Sequence, residues 1–288
     1  MIAVKVSGIS DEAGAGIADQ VRAHRELGWR RLDLRTVDGV NVTSASGAAF
    51  EAIAGAVEAA GMAVPNFASG ICGWGRSVRD DFRLDVEELR RAIPRMRRLG
   101  TRTVRVMSCP APEGVAVPED EFRTEVFRRL RELARMAEGE GVVLVHEQVA
   151  SAWTSEDPAR MLALVEAVGS PAFRLLLDIA NFGGPDAGER AWRAYQAIKP
   201  HMAYVHLKDR AADGSFAWFG EGVIPVRRLL AAMAADGYDG VLSMEPHLAA
   251  VHHTGRRAAP EVLYETYIEN GRKVQEVLDE VLGKPNRD

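Results

Sequence analysis

The sequence predicts a (β/α)8 barrel, a TIM barrel, spanning residues 1–288 as a single domain, and three observations predict it. Short apolar runs alternate with longer amphipathic stretches from one end of the chain to the other. Glycine stands repeatedly between a helical stretch and the run that follows it. The length of 288 residues suits one such barrel, which typically takes roughly 250.

The strand candidates are 3–9, 30–35, 62–67, 102–108, 142–147, 173–178, 202–207 and 240–245. Each is rich in Val, Ile, Leu or Met. The runs VVLV, LLL and YVHL are nearly continuous, as strands of a parallel sheet buried on both faces should be. Between them the apolar residues take helical spacing. Phe122, Val126, Phe127, Leu130, Leu133 and Ala134 do so within 119–138, and Phe82, Leu89, Ile93, Met96 and Leu99 within 82–99. A helix near 224–236 opens at Pro225, whose fixed φ suits a first turn, and the last helix lies near 260–282. Gly28, Gly61, Gly100, Gly141 and Gly237 fall where helices should end, in the left-handed cap that other residues resist. A doubly wound open sheet would need a glycine-rich phosphate loop after an early strand, and the glycines of SGISDEAGAGIAD do not match it. SGICGWGR, 69–76, reads as a long loop over the barrel mouth.

Composition excludes several classes. Hydrophobic residues make up 47% and charged residues 27%, enough apolar material for a large core, and the net charge of -5 gives no basic stripe for nucleic acid. No run approaches a membrane span, and the opening MIAVKVSGIS reads as a first strand rather than a signal peptide. Two cysteines, Cys72 and Cys109, make no disulfide framework and suit a reducing cytoplasm.

Barrel active sites lie at the C-terminal ends of the strands. Four consecutive candidate strands each deliver a carboxylate or an imidazole there: Glu147, Asp178, His206 and Glu245. Any one alone has an ordinary reading, the glutamate as a loop hydrogen-bonder or the histidine as a satisfied core residue. Three converging carboxylates would repel one another and take up protons unless a cation joined them. Three hard oxygens and one imidazole suit one divalent ion, Mn²⁺ first and Mg²⁺ or Co²⁺ as alternatives. Nearby polar residues are candidates for substrate: Asn181, Lys208, His247 and His146. Strand alternation turns His146 away from the axis, which favours a structural role for it. Trp74, Trp153 and Trp218 fall in predicted loops, where simple packing is the ordinary reading. His252 and His253 read as solvated, and Gly220-Glu221-Gly222 is a weak phosphate loop with an acidic centre.

The motifs VHEQ, LLLDIAN, YVHLKD and LSMEPH resemble the xylose-isomerase-like barrel family of sugar isomerases and epimerases. GISDEAG, LGWRRLDLRTVDGVNV, DDF and LGTRTVRVMS extend the resemblance over nearly the whole chain, toward members labelled sugar phosphate isomerase/epimerase. The resemblance implies a metal-dependent enzyme that removes a proton α to a carbonyl and passes through a metal-stabilised enediolate. It implies that Glu147 and Glu245 bind the metal and act as the acid/base pair. Two departures stand out. Family epimerases carry a histidine three residues after the aspartate of LLLD, where this chain has Asn181. They carry an arginine several residues after the histidine of YVHL, where the nearest cations are Lys208 and Arg210, at different spacing. The alternative is therefore a lyase or dehydratase on a keto-sugar or inosose, including cleavage of a keto-glycoside. A DNA-repair endonuclease on the same barrel would need further histidines on earlier strands, where this chain ends two candidates in Asn66 and Ser108 and has only His24. The expected partner is a small sugar or polyol, with neither nucleic acid nor membrane; a homo-oligomer or a partner subunit stays open.

Overall fold

A computed structural model describes residues 5–251 and 255–283. Seven parallel strands form its main sheet: β1 (Lys5–Gly8), β2 (Asn66–Phe67), β3 (Thr103–Val106), β4 (Val143–Glu147), β5 (Phe173–Asp178), β6 (Met202–Leu207) and β7 (Val241–Met244). Their order around the sheet is β1-β7-β6-β5-β4-β3-β2. The expected strand at 30–35 closes the ring between β1 and β2 without forming a continuous ladder. It makes single parallel bridges, Ile9 with Asp33, Arg31 with Ala63 and Leu34 with Phe67. Its amides alternate between the two neighbours, Leu32 donating to Ala63, Asp33 to Gly8 and Leu34 to Asn66. The chain is thus a TIM barrel.

Among the described residues eight α-helices surround the strands: α1 (Ile17–Glu26), α2 (Gly47–Ala59), α3 (Arg83–Leu99), α4 (Glu119–Gly139), α5 (Pro158–Val168), α6 (Ala187–Ile198), α7 (Val226–Ala235) and α8 (Pro260–Leu282). The apolar stripe of α4 that the sequence marks, Val126, Leu130, Leu133 and Ala134, is fully buried against the strands. All five glycines expected at helix ends have positive φ, from 64° at Gly61 to 74° at Gly237. Pro225 caps α7 rather than lying inside it. Among the described residues no helix is long and apolar enough to cross a membrane. The expectation for His252 and His253 lies outside the described residues.

Three short hairpins were not legible as strands: Thr36–Val37 with Val40–Asn41, Asp209–Arg210 with Phe216–Ala217, and Ala250–Val251 with Arg256–Arg257. All three sit in loops at the C-terminal mouth of the barrel.

Inside the ring, side chains alternate with period two, so every second residue of a strand faces the axis. Val145, Leu176 and Tyr204 form an apolar floor. Beside it Asp33 accepts hydrogen bonds from Ser7 Oγ (2.7 Å), Tyr204 Oη (2.7 Å) and Ser243 Oγ (2.8 Å). Burial pushes the Asp33 carboxyl up, against the pull of those hydroxyls. Two residues further along the same strands lie Glu147, Asp178, His206, Arg35 and Glu245. The same parity that fills the core therefore aims the polar residues at one point.

Candidate active site and metal centre

Glu147, Asp178, His206 and Glu245 each offer one donor atom, and these atoms lie within 4.8 Å of one another. Register explains the convergence, because Asp178 and Ser243 both pair with His206 across neighbouring strands. His206 Nδ1 lies 3.2 Å from Glu147 Oε1, 3.3 Å from Glu245 Oε2 and 3.8 Å from Asp178 Oδ2. Gln148 fixes the backbone of Asp178, donating from Nε2 to its carbonyl (2.6 Å) and accepting its amide (3.2 Å).

Arginines brace the two glutamates. Arg105 Nη1 is 3.1 Å from Glu147 Oε2, and Arg35 Nη1 donates to Glu245 Oε1 at 2.7 Å. Lys208 Nζ sits 2.7 Å from Asp178 Oδ2 and 2.8 Å from Glu245 Oε2. Burial would raise the Glu245 carboxyl, yet Lys208, His247 and His206 hold it well below its ordinary range. Burial likewise opposes ionisation of Glu147, and Arg105 and His206 overcome it. Asp178 goes the other way, raised by burial despite Lys208. Burial would lower His206, but Glu147 and Glu245 lift it to about 10. The cluster therefore demands positive charge at its centre.

That demand is the test of whether a metal fits. Glu147 Oε2 and Asp178 Oδ2 are buried and make no hydrogen bond; each only faces a cation at ion-pair distance. Three carboxylates and an imidazole sharing one centre form the donor set a hard divalent ion takes. The residues fit such an ion.

A second triad, Glu12, Glu245 and His247, also has metal-like spacing. A fixed cation already fills it. Arg35 reaches Glu12 at 3.2 Å and Asp11 at 2.9 Å as well as Glu245, and Thr36 Oγ1 donates to Asp11. His247 donates its backbone N–H to Glu12 Oε2 (2.8 Å), and its Nδ1 is 2.8 Å from Glu12 Oε1. These contacts hold His247 at φ 54°, a left-handed conformation a histidine seldom adopts. A third triad, Cys72, Asp85 and Cys109, is buried beside the mouth loops, where Asp85 accepts the Cys72 amide (2.8 Å) and pairs with Arg76.

A cavity of about 260 Å³ opens over the cluster. Glu147, Glu245, Asn181, Lys208 and His247 all line it, with Trp74 and Phe216 as aromatic walls. Asn181 Nδ2 reaches Glu147 Oε1 at 3.4 Å and the Gln148 carbonyl at 3.1 Å. His146, read from the sequence as a candidate for substrate, does not line the cavity with them. It is buried on the helix side of β4, 5.8 Å from the Phe173 ring, and burial lowers it to about 4. Trp153 is a packing residue against Phe127, and Trp218 lies 5.7 Å from Lys273 Nζ, as loop packing predicts; Trp74 departs from that reading by walling the cavity. His24 is bonded to the Gln20 carbonyl and near Tyr267 Oη, far from any ligand role.

Sequence reasoning missed Arg35, Arg105, Asp11, Glu12 and Asp33. A signal was present in each case. Arg105 interrupts an apolar strand at an inward position, Asp33 sits between Leu32 and Leu34, Arg35 ends that run, and Asp11-Glu12 follows β1 after Ile9 and Ser10.

A family model described as xylose isomerase-like TIM barrel matches residues 21–278. A curated relative from Actinoplanes sp., 2-epi-5-epi-valiolone 7-phosphate 2-epimerase, is 37% identical over 135 residues. That match covers 45% of this chain and 46% of the relative, so it spans about half of each. The solved structure of a D-psicose 3-epimerase in the presence of D-fructose superposes with a TM-score of 0.72 at 15% identity, covering 98% of this chain and 100% of that one. A xylose isomerase-like TIM barrel protein from Mycobacterium smegmatis in complex with magnesium gives 0.67 at 19% identity, covering 98% of each chain.

Proposed function

Because the chain belongs to the xylose isomerase-like TIM-barrel family, we propose that it is a metal-dependent isomerase or epimerase of a sugar or sugar-like polyol. The observation that carries this reading is the pair Glu147 and Glu245, ionised, arginine-braced and bordering one small cavity. They come from β4 and from the end of β7, with β5 and β6 between them. Glu147, Asp178, His206 and Glu245 would hold one divalent ion, Mn²⁺ before Mg²⁺ or Co²⁺. Bound there, the ion supplies Lewis-acid polarisation of a carbonyl and of its neighbouring hydroxyl, and offsets the negative charge that develops.

The chain's own residues do the rest. One glutamate accepts the proton on the carbon α to the carbonyl, and the other, once it has taken up a proton from solvent, gives one to the opposite face from across the cavity. Arg35 and Arg105 fix the carboxylates in place, so their orientation costs nothing at the moment of reaction. Asn181 and Lys208 offer hydrogen-bond donors to substrate hydroxyls. The epimerase activity named for the Actinoplanes relative supports this reaction class.

The second reading is a lyase or dehydratase on a keto-sugar or inosose. It shares the first proton transfer and then expels a hydroxyl or glycosyl oxygen. Asn181 favours it, standing where family epimerases carry a histidine, and the glutamate that took the α proton can return it to the leaving oxygen.

The test is solvent exchange. The Mn²⁺-loaded enzyme, offered ketoses and keto-glycosides in D₂O, should place deuterium at a carbon of the substrate. Glu147→Gln and Glu245→Gln, each with wild-type melting, should lose more than nine-tenths of the rate. Turnover with no deuterium at any carbon sinks the proton-transfer reading. Epimeric products identify the first reaction, and a released aglycone or an unsaturated product the second.

A further inference from the structure

The charges around the cavity balance with one exception. Among the described residues Arg35 is paired with Asp11, Glu12 and Glu245, Arg105 with Glu147, and Lys208 with Asp178 and Glu245. Glu156, an acid on the same rim, is paired with Arg190 at 2.6 Å. Arg210 also lines the cavity, and no carboxylate among the described residues comes within ion-pair distance of it. It is nevertheless held. Its Nε–H donates to the Ala180 carbonyl (3.1 Å) and its Nη1–H to the Gly214 carbonyl (2.9 Å). Its Cζ lies 5.1 Å from the centroid of Phe216, the aromatic wall. A guanidinium carries five N–H groups in a planar fork. Two are spent on carbonyls, which leaves three without a protein acceptor on a side chain already oriented.

The hairpin bearing Arg210 is fixed as well. Asp209 accepts four backbone amides, those of Arg210 (2.8 Å), Gly220 (3.0 Å), Gly222 (3.0 Å) and Ile224 (3.2 Å). These contacts also rule out the weak phosphate loop of the sequence. The amides of Gly220 and Gly222 point at a carboxylate, so no anion can use them.

We propose that the substrate carries an oxyanion, a phosphate monoester or a carboxylate, and that Arg210 is its binding residue. The inference rests on the cavity being a sugar site and adds the charge of what enters it. Arginine binds such groups through parallel N–H donors, an arrangement stronger than neutral hydrogen bonds and specific in direction. The cavity, about 260 Å³, has room for one sugar-sized unit over the cluster.

Binding, independent of turnover, tests it. Full-length protein, with and without Mn²⁺, is titrated calorimetrically with sorbitol, sorbitol 6-phosphate and gluconate. At least one anion should bind about tenfold or more tighter than sorbitol, which is about 1.4 kcal/mol. Which anion gains tells phosphate from carboxylate. The preference should disappear in Arg210→Gln, survive in part in Arg210→Lys, and shrink as KCl is raised. If neither anion binds tighter than sorbitol, or if the preference persists in Arg210→Gln, the proposal is overturned. Should Arg210→Gln fail to fold, undiminished preference in the more conservative Arg210→Lys at every KCl concentration overturns it too. Anion preference without deuterium exchange would remove the reaction reading alone. Exchange without anion preference would remove this inference alone.

Discussion

Replacing Arg35 with methionine should destabilise the barrel more than any surface change, and the loss should shrink in acid. Arg35 is 3% exposed and joins three carboxylates, on Asp11, Glu12 and Glu245, each 1–3% exposed. Burial by itself would lower its pKa, but Asp11, Glu245 and Glu12 hold it above the ordinary range. Arg35→Met keeps much of the stem volume and removes the charge. Three buried carboxylates then lose their shared cation, and breaking a buried pair this way costs about 3–5 kcal/mol. The unfolding entropy of roughly 2.1 cal/mol/K per residue scales to about 0.6 kcal/mol/K for a chain of this length, so Tm should fall by about 5–8 °C at pH 7. The sign with pH follows from desolvation. Without Arg35 the folded carboxylates prefer the neutral form, so their folded pKa rises and the folded state binds more protons than the unfolded one. The penalty therefore diminishes as pH falls from 7 toward 5. Scanning calorimetry in EDTA at both pH values measures this. A Tm loss under about 1 °C at pH 7, or a loss that grows in acid, refutes the reasoning.

Two further outcomes are expected. Loaded protein should hold one Mn²⁺ per chain by elemental analysis, and His206→Ala should weaken binding at least about tenfold more than His247→Ala, because Arg35 already occupies the triad containing His247; two ions per chain, or equal losses, contradict the assignment. His24, buried and lowered to about 4 from an ordinary 6.5, is neutral in the fold. Its contribution is complete above the unfolded pKa and is lost as pH falls from 6.5 to 4, about 3 kcal/mol in all. The Tm of wild type should drop more steeply across that window than that of His24→Gln, and parallel curves would exclude His24 as a source of acid lability.

The barrel and the four convergent residues were legible because both follow from one periodicity. Alternation that buries Val145 and Tyr204 also turns Glu147 and His206 to the axis, so a strand-end reading finds them together. The same rule turned His146 outward. The strand at 30–35 was legible as an element but not as a set of single bridges, since pairing on both sides depends on neighbours far away in sequence. Arg35 and Arg105 escaped notice because a charge at a strand position marks a residue without naming its partner, and Glu245 lies 210 residues from Arg35. Hairpin 209–217 has no alternation of its own. Its form depends on Asp209 gathering amides from 220–224, with Gly222 where a Cβ would meet Asp209 Oδ1 at 2.2 Å.

That aspartate also governs how a ligand arrives. Asp209 lies between Lys208 and Arg210 in the chain, so one carboxylate positions both cations and, through the hairpin, the Phe216 wall. With four amides satisfied before anything binds, the hairpin itself has nothing left to order. A ligand meets a finished surface there, and its affinity is not reduced by the entropy of closing a loop. Association on this side should therefore be a single fast phase. A slow step, if kinetics reveal one, belongs to the opposite lip, where Trp74 stands 45% exposed.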